Sequence, residues 1–238
     1  MKKFLLPFIA LSLHAHIIIP QNTQQLLVVS SEGFDNSRAS LDAYEKRGEV
    51  WQKALDTIEV TLGRNGLAWG EGLKKIQHNE NEPIKYEGDG KSPAGLFTLE
   101  SFFGYNKREF SFPYLQVEES TLCIDDSDSP FYNQIIQTRN SEEFKSFEYM
   151  KREDKLYSLG VVVGHNKGNL KKRGSCIFIH IAKQTAADIA SKNPHILPTA
   201  GCTAMQEERL LKLMKWLDKS KRPLLLQLPK AYLQKGFK

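Results

Sequence analysis

Cysteine is scarce in this 238-residue chain, with three residues at Cys123, Cys176 and Cys202. Three thiols are too few for a disulfide scaffold and too few for a four-thiolate zinc site. A strong charge of either sign is missing as well: 33 Lys and Arg stand against 28 Asp and Glu, a net +5. Lys2 and Lys3 at the start supply two of those positive charges. So weak an excess leaves no electrostatic footprint for nucleic acid, and none is expected as a partner. No apolar run approaches the ~20 residues needed to cross a bilayer. Repeats and low-complexity linkers are also lacking, so a single domain over 24–238 is the simplest organisation.

The opening residues MKKFLLPFIALSLHAH join a short basic start to an apolar stretch from Phe4 to Leu13, with a small residue at Ala15. That pattern predicts a secretory signal peptide over 1–15, although Leu13 stands where a small residue is preferred. Export implies a periplasmic or extracellular mature protein, where thiols oxidise.

Hydrophobic residues at 40% and charged residues at 26% match an ordinary globular composition. Gln25 to Ser30, Ile58 to Leu62, Leu159 to Val163 and Cys176 to Ala182 read as strands, the last one central because it is apolar on both faces. Ser40 to Leu55 has helical spacing broken at Gly48, and a long helix is predicted from Met205 to Asp218. Leu210, Leu213, Met214 and Leu217 form its apolar stripe. Strands outnumber helices, which predicts a β-rich α+β fold with mixed, mainly antiparallel pairing. Gly88 to Ser92 lacks the first glycine of a phosphate-binding loop, since Lys85 occupies that place. It reads as a tight turn into a strand at Leu96 to Leu99. The basic run Lys171-Lys172-Arg173 reads as a solvated loop tip.

Cys202 follows Gly201 and precedes the predicted long helix. Thr203 and Gln206 have capping-box spacing, which predicts a helix start at Thr203 or Ala204 and a thiol at the positive end of its dipole. Such a setting favours thiolate, and the amides of the turn would face a developing oxyanion. An inert buried cysteine is the alternative. His180, inside the strand Ile177 to Ala182, is placed to be a general base for that thiol or a satisfied core residue. His180, His195 and Cys202 lack the close-spaced pairs of a zinc site, so neither metal nor cofactor is expected. Cys123 and Cys176 are candidates for a disulfide that leaves Cys202 free, with free buried thiols as the alternative.

An ordered set of motifs runs through the chain: Gly63-Arg64-Asn65-Gly66-Leu67-Ala68-Trp69-Gly70, then Glu87-Gly88-Asp89-Gly90-Lys91-Ser92-Pro93-Ala94-Gly95 with Phe97. Cys123-Ile124-Asp125-Asp126 with Tyr132-Asn133, Gly174 to His180, and Thr199-Ala200-Gly201-Cys202 complete it. In this set the chain resembles the YkuD-type L,D-transpeptidase family, enzymes that remodel bacterial peptidoglycan through a catalytic cysteine. The resemblance implies the YkuD catalytic fold, a mixed β-sandwich with peripheral helices. It also implies Cys202 as nucleophile, His180 as base, and peptidoglycan stem peptides as substrate. Lys91, Thr199, Ala200 and Thr203 lie in or beside these motifs and are the implied substrate contacts. Ala200 and Thr203 replace the histidine and the arginine or asparagine of the better-studied branch. Thr185 to Asn193 reads as an inserted helical loop. The expected activity is L,D cross-linking through a Cys202 thioester. An L,D-carboxypeptidase and a catalytically silent wall-binding module are the competing readings.

Overall fold

The computed structural model describes residues 17–184, 196–234 and 236–237. The predicted signal peptide at 1–15, the 185–193 insertion and His195 lie outside them. In chain order the strands are β1 (Gln25–Ser31), β2 (Arg38–Arg47), β3 (Val50–Lys53), β4 (Ile58–Thr61), β5 (Leu67–Trp69), β6 (Ser92–Gly104) and β7 (Tyr114–Gln116). They continue as β8 (Thr121–Cys123), β9 (Ile135–Gln137), β10 (Glu148–Tyr149), β11 (Leu159–Val163), β12 (Phe178–Ile181) and β13 (Thr203–Met205). Helix α1 (Glu207–Trp216), β14 (Leu224–Pro229) and helix α2 (Lys230–Leu233) close the chain.

The β-rich expectation agrees with this architecture, but the sheet is not an open sandwich. Strands β1-β14-β6-β11-β12-β13-β4-β2 pair in that order, and β2 returns to pair with β1. The ring is therefore a closed barrel of eight strands, which leaves no free edge among them. Pairing is mostly antiparallel, with parallel contacts at β1–β14 and β12–β13. A separate three-stranded sheet, β10-β8-β9, sits outside the barrel.

The helix predicted over Ser40 to Leu55 is a hairpin instead. Alternation decides it: Leu41 and Ala43 are fully buried, and their neighbours Ser40, Asp42 and Tyr44 are only partly so. Arg47 pairs with Val50, leaving Gly48-Glu49 as a two-residue loop, and Gly48 takes φ +60°. A glycine opening a two-residue loop is a hairpin signal that outweighs helical composition here.

Two apolar clusters lie on opposite faces of β11, β12 and β13. Val161, Ile179 and Met205 join the large core, together with Leu210, Leu213 and Met214 of α1. Phe178 and Cys202, one residue out of phase, join a smaller cluster with Phe103, Cys123, Met150, Tyr157 and Cys176. Strand alternation thus separates a packing face from the face that bears the candidate chemistry.

Candidate active site

Cys202 does not cap a helix. Thr203–Met205 is strand β13, paired in parallel with β12 through Ile179↔Thr203, His180↔Ala204 and Ile181↔Met205. Helix α1 begins at Glu207, and its N-cap Gln206 makes no side-chain cap bond. The ladder wins because Thr203 spends its hydroxyl on the buried Oε1 of Gln227, at 2.7 Å, rather than on a helix amide. That bond ties the expected substrate contact Thr203 to β14, with its side chain buried.

The dipole argument for a thiolate falls with the helix start. Burial pushes the Cys202 thiol up to about 12, and the Glu148 carboxylate adds to the rise. The Phe178 N–H, the Lys85 ammonium and the Tyr157 hydroxyl oppose it. At neutral pH the sulfur is therefore a thiol that must be deprotonated before it can attack. Its geometry is well defined: the Phe178 N–H donates to Sγ at 3.3 Å, and the S–H donates to the Cys176 carbonyl at 3.5 Å.

His180 shares the face of Cys202, because both stand on the same alternation of paired strands. The two side chains are not hydrogen-bonded to each other: Nδ1–H of His180 donates to the Ile181 carbonyl at 2.8 Å. That bond leaves the lone pair on Nε2. Desolvation lowers the imidazole to about 4, so the ring is neutral at pH 7.

The turn before the thiol is held from two sides. The Thr199 hydroxyl donates to the Cys202 carbonyl at 2.6 Å and accepts the Gly201 N–H at 3.1 Å. Ser92 donates to the same carbonyl at 2.9 Å and accepts the Gly63 N–H at 2.8 Å. The Gly201 amide is thus engaged within the turn and is not a free oxyanion donor. Gly201 lies close to the start of β6: a Cβ there would stand 3.2 Å from the Lys91 carbonyl, so the neighbour would have to give by a few tenths of an ångström. Ala200, by contrast, is exposed at the rim. Thr199→Val, isosteric but without the hydroxyl, should lower stability by about 1–3 kcal/mol. Urea denaturation checks this, and Thr199→Ser should restore most of the loss.

Lys91 is not brought to the sulfur. Its ammonium reaches the Asn65 carbonyl and the Asp35 carboxylate, at 3.4 Å from the latter, along the outside. The lysine that matters electrically is Lys85, buried with Asp89 at 2.5 Å. Cys123 and Cys176 form a disulfide with Cα atoms 6.0 Å apart, and Cys202 is the free cysteine. Cys176 takes φ +53°, and the Asn133 side chain accepts its N–H at 3.0 Å. The disulfide therefore fixes the carbonyl that receives the thiol proton and staples β8 to the start of β12.

The small sheet brings in residues that the sequence reading missed. Glu148 on β10 stands opposite Cys123 in the register, and the Tyr157 hydroxyl donates to its Oε2 at 2.6 Å. The Tyr157 ring lies edge-on to His180, centroids 5.1 Å apart, and to Phe178 at 5.5 Å. Glu87 accepts the Ser175 hydroxyl at 2.7 Å and also the Tyr132 hydroxyl. Glu148 and Tyr157 sit in no motif, and only the fold places them by the sulfur. Tyr132 and Lys85 had a signal: one lies in a quoted motif, the other four positions before Asp89.

Among the described residues no group of three or more His, Cys, Asp or Glu is arranged to hold a metal ion, and no helix is long and apolar enough to cross a membrane. No family model, characterised protein or solved structure matches the chain.

Proposed function

We propose that this chain is an exported cysteine acyl-transfer enzyme of the YkuD type that acts on peptidoglycan stem tetrapeptides. The observation that carries the reading is the free Cys202 thiol, held by backbone groups on one strand face with a neutral imidazole and beside an exposed turn. Deprotonated Cys202 attacks the carbonyl of the third residue of the stem, and the terminal D-alanine leaves as a free amine. The resulting thioester is resolved by a second stem's amine to give an L,D cross-link. His180 is the base that the family resemblance implies, with its lone pair on Nε2. The Cys202 amide is the oxyanion donor left to the turn once Thr199 has taken the Gly201 amide. The signal-peptide pattern at 1–15 and a disulfide that persists in oxidising compartments support export to the periplasm.

Incubation of the mature chain and of Cys202→Ala with disaccharide-tetrapeptides, read by mass spectrometry, tests the proposal. A cross-linked dimer formed by wild type alone is the expected result. Tripeptide without dimer would assign an L,D-carboxypeptidase with water as acceptor. Unchanged substrate with a folded, reduced wild type would overturn the enzyme and favour a wall-binding module.

A further inference from the structure

Two non-glycine residues in the left-handed backbone region are bonded to each other, and one of them meets the sulfur. Cys176 takes φ +53° and Asn133 takes φ +62°. Asparagine tolerates that region, whereas cysteine adopts it where surrounding bonds impose it. Asn133 is fixed in the turn between β8 and β9, where its N–H donates to the Ile124 carbonyl at 2.7 Å. Its side chain then crosses to the barrel. Oδ1 accepts the Cys176 N–H at 3.0 Å, and Nδ2 donates to the His165 and Asn166 carbonyls at 3.1 and 3.0 Å. With both ends of the amide engaged, its orientation is set. The residue before Cys176 is clamped as well: the Ser175 hydroxyl donates to Glu87 at 2.7 Å, and Glu87 also accepts the Tyr132 hydroxyl. The Tyr132-Asn133 motif thus grips Ser175-Cys176, and the disulfide to Cys123 holds Cys176 through its sulfur. What this grip presents is the Cys176 carbonyl, which accepts the Cys202 S–H at 3.5 Å, while the Phe178 N–H donates to Sγ at 3.3 Å.

We propose that Asn133 is a positioning residue of this site: by fixing the Cys176 peptide it keeps a carbonyl on the Cys202 S–H, so that the resting sulfur stays protonated and oriented. The inference rests on the acyl-transfer reading only for calling that sulfur a nucleophile. A carbonyl oxygen accepts from a thiol and repels a thiolate, so this bond favours the neutral form. The Phe178 N–H favours the charged form, and the sulfur sits between the two. Turning the Cys176 peptide away would remove the first influence and leave the second. Glu148, Lys85 and Tyr157 also face the thiol, and the test below leaves all three in place. The consequence is a nucleophile that is quiet toward small electrophiles until a base takes its proton.

Iodoacetamide alkylation of Cys202 tests this, followed by mass spectrometry in the full mature chain with the disulfide intact. Asn133→Gly keeps the left-handed backbone accessible and removes the amide, and should speed alkylation at pH 8 by about tenfold. Asn133→Asp keeps an acceptor for the Cys176 N–H and tolerates the same backbone, so it should be alkylated no faster than wild type. Both variants lose the donors to the His165 and Asn166 carbonyls and should lose stability in urea, which separates positioning from stability. Ser175→Ala loosens the same peptide from the Glu87 side; it should speed alkylation by about threefold, and it stands in if Asn133→Gly does not fold. Equal acceleration in both Asn133 variants would overturn the proposal. Wild-type rates in Asn133→Gly, or in Ser175→Ala where it stands in, would do the same. So would alkylation of the accelerated variant that rises with urea at the slope of its global unfolding. Failure of the wild type to process disaccharide-tetrapeptides while these ratios hold would sink the acyl-transfer reading and leave Asn133 its place.

Discussion

Lowering the pH from 6.5 toward 4 should remove several kcal/mol of folding stability, centred on two buried histidines. His165 and His180 are each lowered by desolvation from 6.5 to about 4 in the folded chain. Between those values the unfolded chain binds protons that the folded chain refuses, so stability rises with pH. The contribution is complete above pH 6.5 and is lost as the pH falls through the folded values. At 1.36 kcal/mol per pKa unit, each histidine accounts for about 3 kcal/mol at most. Glu148 works against them: its carboxyl is raised by burial, so the folded chain takes that proton more readily. The net loss is therefore smaller than the two histidines give together. His165 is the cleaner probe, because no part in the proposed chemistry falls to it. Its Nε2–H donates to the Arg173 carbonyl at 3.0 Å, and its Nδ1 is buried without a partner. A proton added at Nδ1 would thus be a buried charge with nothing to receive it. Urea unfolding at pH 7.5 and 4.5 measures the effect. His165→Gln should show less than half the wild-type pH dependence, because the opposing Glu148 contribution stays in full. A wild-type midpoint that does not move over this range would overturn the assignment.

The barrel was only partly legible in the chain. Leu159 to Val163 and Gln25 to Ser30 announced themselves because β-branched and apolar residues fill both faces of a buried strand. Closure was not legible, since it depends on β2 turning back to pair with β1, a contact with no local signature. The Ser40 to Leu55 error has a physical cause. Alanine, glutamate and lysine favour helix when isolated, but Leu41 and Ala43 pay off only against the barrel core, and tertiary burial overrides propensity. The Thr203 error is similar: a capping-box pattern is a local option, and a ladder with β12 and a buried bond to Gln227 outcompete it.

The candidate site divides along the same line. Cys202, His180 and Gly201 stand in or beside the motifs that single them out, and the Cys123–Cys176 disulfide is one of the two readings the sequence allows for that pair. Their partners come from segments that carry no pattern. Tyr157 lies just before β11, and Glu148 lies on a two-residue strand of a satellite sheet. Lys91 is expected at the substrate because it sits inside the Gly-Asp-Gly-Lys stretch, whereas burial, not motif membership, decides which lysine affects the sulfur.

Lys85 supports the second large effect. Replacing it by Met should cost about 3–5 kcal/mol, because the change leaves a buried carboxylate without its cation. Lys85 and Asp89 side chains are 4% and 1% exposed, and their atoms meet at 2.5 Å. The pair is fully bonded: Lys85 also donates to the Tyr86 carbonyl at 3.0 Å, and Asp89 accepts the Tyr86 and Lys91 amides at 3.0 and 2.8 Å. Asp89 thus organises the turn into β6, and β6 begins with the Ser92 that holds the Cys202 carbonyl. Asp89→Asn should be costly alone for the converse reason, an unpaired ammonium. Together, Lys85→Met and Asp89→Asn should cost about as much as either single change, because the uncompensated charge is gone. Chemical denaturation of the four proteins gives this coupling directly. Additive losses, or a Lys85→Met cost below about 1 kcal/mol, would show that the pair is solvated and not buried. The same variant bears on the sulfur: the Lys85 charge opposes the rise of the Cys202 thiol, so its removal should slow alkylation at fixed pH. A stability loss without that slowing would confine Lys85 to holding the turn.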